Sequence, residues 1–183
     1  MDFDVFFVNL AAIPNGTRCK DKQFENNDQT KSGEKISKSV CAVDRPYVSH
    51  VLGEGIPYYD VDFLGGFNAV FNDQTVLPLC NIVVPGFEKA TVWCNVTGHS
   101  MEPKINPGDI IALRECSVED IQYGEIYAVV LDTIRTIKIV RKGSSPEVLR
   151  FVPINVENYD EQEYDVGRIQ RVFEVIGSIS KFF

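Results

Sequence analysis

From about Ile56 onward the chain runs in short apolar bursts rich in β-branched and aromatic residues, each closed by Gly, Pro, Asn or Asp. Successive side chains of a strand point to opposite faces, so such bursts read as strands bounded by turns. They predict strands over 91–97, 109–114, 126–132, 133–141, 148–153 and 167–178. Asn106-Pro107-Gly108-Asp109, Gly143-Ser144-Ser145-Pro146 and the stretch 155–160 supply turn signals between them. Residues 117–122 read as one short helix or turn, with Ser117 placed to cap it. No long amphipathic helix separates the strands, which predicts a mostly-β domain, either a sheet pair or a distorted barrel.

Residues 15–46 have a different texture: polar, mixed in charge and without regular apolar spacing, which predicts an irregular arm. The chain therefore divides into an N-terminal arm or linker, 1–55, and a folded domain, 56–183. No tri-helical core, and so no helix-turn-helix, can be assembled from the arm.

Charge sharpens this division. Of the net −8, residues 1–55 contribute almost nothing, with seven Lys/Arg against eight Asp/Glu, so the domain carries about −7. An acidic body repels a phosphate backbone, which argues against DNA binding by residues 56–183. The five cysteines, Cys19, Cys41, Cys80, Cys94 and Cys116, show no CxxC pair, and only His50 and His99 could join them on a metal. They read as free thiols of a reducing compartment, with no metal site. The apolar run 3–13 is too short to span a bilayer and lacks the basic start of a secretory signal, so a cytoplasmic location without membrane attachment is expected.

Two segments carry candidate chemistry. Gly98-His99-Ser100-Met101-Glu102-Pro103 puts a hydroxyl in a turn, and Thr136-Ile137-Lys138-Ile139-Val140 threads a lysine through a β-branched run. Alternation places Lys138 on one face with Ile134 and Val140, and Arg135 and Arg141 on the other. Aliphatic neighbours disfavour an ammonium and lower its pKa, which is what a general base needs at neutral pH. A neutral Lys138 could then take the proton of Ser100 as its oxygen attacks a carbonyl. Alternation fits equally a lysine whose stem lies on the sheet and whose ammonium reaches water. Ser100 fits equally a local hydrogen bond within its turn. Gly98 would let the backbone turn sharply, leaving the amides of His99 and Ser100 free to hold an oxyanion. His99 is adjacent to Ser100 and points away from it on an extended segment. Asp109 reads as a turn-capping carboxylate, and Trp93 and the aromatics at 58, 59, 63, 67 and 71 as core or arm-anchoring groups.

The serine segment, continued by Asn106-Pro107-Gly108-Asp109-Ile110-Ile111, resembles the nucleophile segment of the LexA-like serine peptidases, which include LexA, the phage repressors and UmuD. The lysine run and its distance from the serine are similar to the family's lysine strand, and signal peptidase I shares a version of both motifs. The resemblance covers roughly residues 56–183. It implies a LexA/signal-peptidase-like β fold of short strands, catalysis by Ser100 and Lys138 without a cofactor, and dimerisation through this domain. It further implies self-cleavage in response to a DNA-damage signal, with a RecA-type filament as co-protease. Family members are cut at Ala-Gly or Cys-Gly upstream of the serine. The matching stretch is 56–67, and alignment on the glycine before Phe67 gives Gly65–Gly66, where Gly65 departs from the usual residue. A Gly-Gly turn between strands is the alternative for that pair. DNA contact would come only through a domain not evident in this chain.

Three functions compete on these readings. The first is a self-cleaving Ser-Lys domain of a repressor-type regulator. The second is a non-catalytic or UmuD-like dimerisation or partner-binding module of the same fold. The third, a trans-acting peptidase of the signal-peptidase type, is disfavoured by the missing anchor.

Overall fold

A computed structural model describes residues 7–8, 45–51, 53–65 and 76–180. Among them are eleven strands: β1 (Phe7–Val8), β2 (Tyr47–Ser49), β3 (Ile56–Asp62), β4 (Cys80–Val83), β5 (Val92–Asn95), β6 (Ile110–Cys116), β7 (Ile126–Leu131), β8 (Arg135–Lys142), β9 (Val148–Val152), β10 (Gln162–Asp165) and β11 (Ile169–Ser180). The only helical pieces among these residues are two single 3-10 turns, Val118–Asp120 and Val166–Arg168. All eleven strands belong to one sheet, ordered β10-β9-β8-β7-β11-β6-β5-β3-β4-β2, with β1 paired to β11. The protein is mostly β, as its hydrophobic pattern predicts.

Side-chain alternation explains how one sheet supports three cores. On β7, Ile126, Ala128 and Val130 enter a central cluster, while Tyr127, Val129 and Leu131 enter a second one. On β6, Ile111 and Leu113 join the central cluster, and Ile110 and Ala112 face a third around Trp93. The central cluster also takes Val92 and Cys94 from β5 and Ile137 from β8. Those strands stand four places apart in the order, so the sheet curls enough to bring β5 and β8 to one core. β11 runs through the middle, and a bulge between Val175 and Gly177 resets its alternation. Phe173 therefore faces the central core and Ile179 the Trp93 cluster.

The six predicted strands correspond to β5, β6, β7, β8, β9 and β11 within a few residues. One boundary matters for the site. The break between β7 and β8 is the turn 132–134, so Ile134 precedes β8 and is exposed. Ser117 precedes the first 3-10 turn as expected, but its hydroxyl donates to the Asp120 carboxylate (2.7 Å). Strands β2, β4 and β10 are three or four residues long, and β3 carries Pro57; none shows a clean alternation in the sequence. Most of the arm, including Cys19 and Cys41, lies outside the described residues, as do Phe67 and Phe71.

Candidate active site

Ser100 sits in the connection between β5 and β6, and that connection is pinned at both ends. Val96 N–H donates to Asp109 O (3.0 Å) and Gly108 N–H to Val96 O (2.7 Å), closing its base. Gly108 takes φ 90°, a region that a side chain disfavours. Asp109, 3% exposed, accepts the Asn106 N–H on Oδ2 (2.8 Å), so its carboxylate caps the turn. From the other side, Ser100 O accepts the N–H groups of Ile154 (3.0 Å) and Asn155 (3.1 Å). The Asn155 amide donates to His99 O (3.2 Å). The β9–β10 connection thus grips the backbone of the serine turn.

Lys138 reaches this turn from β8, where it stands opposite Tyr127 in the register with β7. Its Nζ donates to Ser100 Oγ at 2.6 Å and to Ile137 O at 3.2 Å. Both side chains line a pocket of about 300 Å³ with Leu64, Val96, Met101 and Ile137 among its walls. Burial among these groups pushes the Lys138 ammonium below the ordinary lysine value. The cause differs in part from the strand-face expectation. Val140 is fully buried, but in the cluster with Tyr127 and Phe151, and Ile134 is exposed in the turn before the strand. The apolar walls come mainly from segments distant in sequence.

The neighbours of Ser100 have distinct roles. His99 is exposed, and its Nδ1 lies 3.2 Å from Glu102 Oε1. Among the described residues no hydrogen bond takes up the N–H of His99 or of Ser100. Gly98 is not among the glycines with positive φ. A Cβ there would lie 3.0 Å from Leu64 Cδ1, so this glycine leaves room for Leu64.

Leu64 belongs to the turn after β3, the stretch singled out as the region of the cut. Its carbonyl accepts Arg135 Nη1 at 3.2 Å. The next residue, Gly65, is exposed and donates its N–H to Asp62 Oδ2 (3.0 Å). Gly66, and with it the Gly65–Gly66 bond, falls outside the described residues. Arg135, Asn155, Leu64 and Tyr159 all border the site, and none was legible as a site residue. Alternation sets Arg135 on the face away from Lys138, together with Ile137, and Ile137 lines the same pocket, so the site draws on both faces of β8. Asn155 and Tyr159 lie in a stretch whose only local signal is that of a turn.

A family model described as Peptidase S24-like matches residues 63–180, nearly two-thirds of the chain. The chain belongs to the peptidase S24-like family. This is the family of LexA, UmuD and phage-repressor C-terminal domains, built on a serine-peptidase fold. The S24-like match takes in the serine turn, the lysine strand and the turn holding Leu64. No curated protein matches the chain.

The remaining chemistry of this S24-like domain is sparse. Cys80, Cys94 and Cys116 are free thiols, and burial pushes Cys94 far up. Among the described residues no three His, Cys, Asp or Glu side chains are grouped to hold a metal ion. No helix among them is long and apolar enough to cross a membrane.

Proposed function

We propose that this protein is a self-cleaving serine endopeptidase in which Ser100 is the nucleophile and Lys138 its general base, acting on the chain's own Gly65–Gly66 bond. The observation that carries the reading is the 2.6 Å contact between Lys138 Nζ and Ser100 Oγ inside a largely apolar pocket. Once Lys138 is neutral, the hydrogen bond reverses and Ser100 Oγ–H donates to Nζ. The oxygen attacks the Gly65 carbonyl carbon and Lys138 takes the proton. The oxyanion would be held by the N–H groups of His99 and Ser100. Collapse breaks the bond to Gly66 nitrogen, which receives the proton from Lys138 and leaves residues 1–65 as an ester on Ser100. Water, deprotonated by Lys138, then releases a carboxylate at Gly65 and restores the serine. No cofactor enters these steps.

The position of Leu64, in the pocket and one residue before Gly65, supports the chain's own segment as substrate. In this reading the cut inactivates a repressor-type regulator, the domain dimerises, and a RecA-type filament on single-stranded DNA acts as co-protease in the cytoplasm. The test is intact-mass analysis of the purified protein at alkaline pH, where Lys138 deprotonates unaided, and with RecA filaments at neutral pH. Cleavage beside Gly65 should fall by at least about 10³-fold in Ser100→Ala and in Lys138→Ala. An intact wild-type chain under every one of these conditions would leave the non-catalytic dimerisation or partner-binding module as the better reading.

A further inference from the structure

Glycine before a scissile bond poses a recognition problem. It offers no side chain to a pocket and loses more backbone freedom than any other residue when held in one conformation. Selective binding of the segment must therefore come from its neighbours, and here they are visibly held. Phe63 is fully buried in the central core, and its N–H donates to Asn95 O (3.0 Å). Leu64 lies in the pocket with Val96, Met101 and Ile137, and Gly98 lacks the side chain that would crowd it. The Leu64 carbonyl accepts from the Arg135 guanidinium (3.2 Å), and Gly65 N–H is tied back to Asp62. Arg135 precedes Lys138 by three residues on β8, so one strand carries both the base and a charged donor to the segment beside the bond.

We propose that Leu64 is the specificity-determining side chain of the cut, seated in an apolar subsite one residue before the scissile carbonyl, and that Arg135 is the substrate-positioning residue that holds its carbonyl. The site then selects a peptide turn with a branched aliphatic residue followed by glycine. The inference rests on the self-cleavage reading. A guanidinium donor suits this role because it stays charged at the alkaline pH where Lys138 is neutral. The same strand can therefore lose the proton on its base while keeping its grip on the substrate.

The test uses the full chain and three readouts. Self-cleavage is followed by intact mass at alkaline pH, Ser100 reactivity by labelling with a small fluorophosphonate, and docking of the segment by hydrogen–deuterium exchange over residues 59–65 in a Ser100→Ala background. Arg135→Gln and Leu64→Asp should each slow self-cleavage by about 10²-fold, the effect of misplacing a reacting group by an ångström. In Arg135→Gln, fluorophosphonate labelling should fall far less than self-cleavage, because the small reagent needs no docked segment; Leu64→Asp puts a carboxylate in the pocket of Lys138 and is read by cleavage alone. Arg135→Lys, which keeps a charged donor, should recover part of the rate. In the Ser100→Ala background, Arg135→Gln should speed exchange at residues 63–65.

Unchanged cleavage in Arg135→Gln overturns the proposal, and so does an equal loss of cleavage and labelling, which would place Arg135 in the support of the dyad. A wild-type chain that labels but never cuts removes the self-cleavage reading. Unchanged exchange in Arg135→Gln then overturns the clamp on its own account.

Discussion

Lys138 is held in a place that its charged form disfavours, and pH reveals this in two ways. Desolvation lowers its pKa below the ordinary lysine value. Between the folded and the unfolded values the unfolded chain binds more protons, so stability rises with pH across that window. Below the folded value the full penalty of the buried ammonium is present. Lys138→Met removes the charge and keeps most of the stem. Its melting temperature, compared with wild type, should be relatively highest near neutral pH. That advantage should shrink as pH climbs from about 7 towards the unfolded lysine value of about 10.4. Thermal melts of both proteins across this range check it, and a gap that is flat or widens would contradict a depressed Lys138. With Lys138 as the proposed base, the self-cleavage rate should rise with pH over the same window and level off below the ordinary lysine value, since that role requires the neutral amine. At this scale the residue types were legible: a hydroxyl in a turn and a lysine in an apolar run. The contact between them was not, because 38 residues separate Ser100 from Lys138 and no local pattern measures that gap in space.

Among the elements, β8 carries both Lys138 and Arg135, and its position depends on the hairpins at its two ends. The β8–β9 hairpin closes where Gly143 N–H donates to Val148 O (3.1 Å), and Val148 N–H donates to Ser145 O (3.2 Å). A Cβ on Gly143 would stand 2.3 Å from the Val148 carbonyl oxygen, a backbone atom that cannot swing aside. Gly143→Ala should therefore destabilise the protein by about 1–3 kcal/mol, as overpacking does. Chemical denaturation would show a lower midpoint with an unchanged slope. Ser144→Ala, which removes only an exposed hydrogen bond to Glu163, should stay within about 0.5 kcal/mol of wild type. Equal effects of the two would refute the steric account. The sequence shows this turn as Gly143-Ser144-Ser145-Pro146. It does not show that its glycine is required by close backbone approach, while Gly98 makes room for a side chain from the turn after β3.

Across the whole molecule, the proposed cut falls inside an interleaved sheet. Strands β2 and β3 precede Gly65, and β4 and β5 follow it, yet the order is β5-β3-β4-β2. Phe63 and Tyr58, both upstream of the bond, are buried in two different cores. Burying each contributes about 1.5–3 kcal/mol, to which the strand pairings add. Breaking one peptide bond removes none of these contacts. After self-cleavage, residues 1–65 and 66–183 should therefore co-elute in native size-exclusion chromatography and separate only in denaturant. Separate elution of two fragments in native buffer would show that the pairings do not hold without the covalent link. The cut would then release the N-terminal piece directly, rather than leaving its release to a second step such as strand exchange.

Local pattern by itself determined a good deal: a mostly-β domain, the six strands that became β5 to β9 and β11, the capped turn at Asp109, and the two motifs of the S24-like family. These are readable because alternation, turn chemistry and motif spacing act over a few residues. The tertiary structure alone decided how the sheet curls, which brings β5 and β8 to one core and Ser100 to Lys138. It also supplied most of the groups that desolvate the lysine, since Leu64, Val96 and Met101 arrive from elsewhere in the chain. It placed Arg135 on the Leu64 carbonyl, from the face that Arg135 shares with Ile137, because Leu64 packs against the central cluster that Ile137 enters. Desolvation and side-chain reach depend on what packs nearby in space, and a linear pattern does not record that.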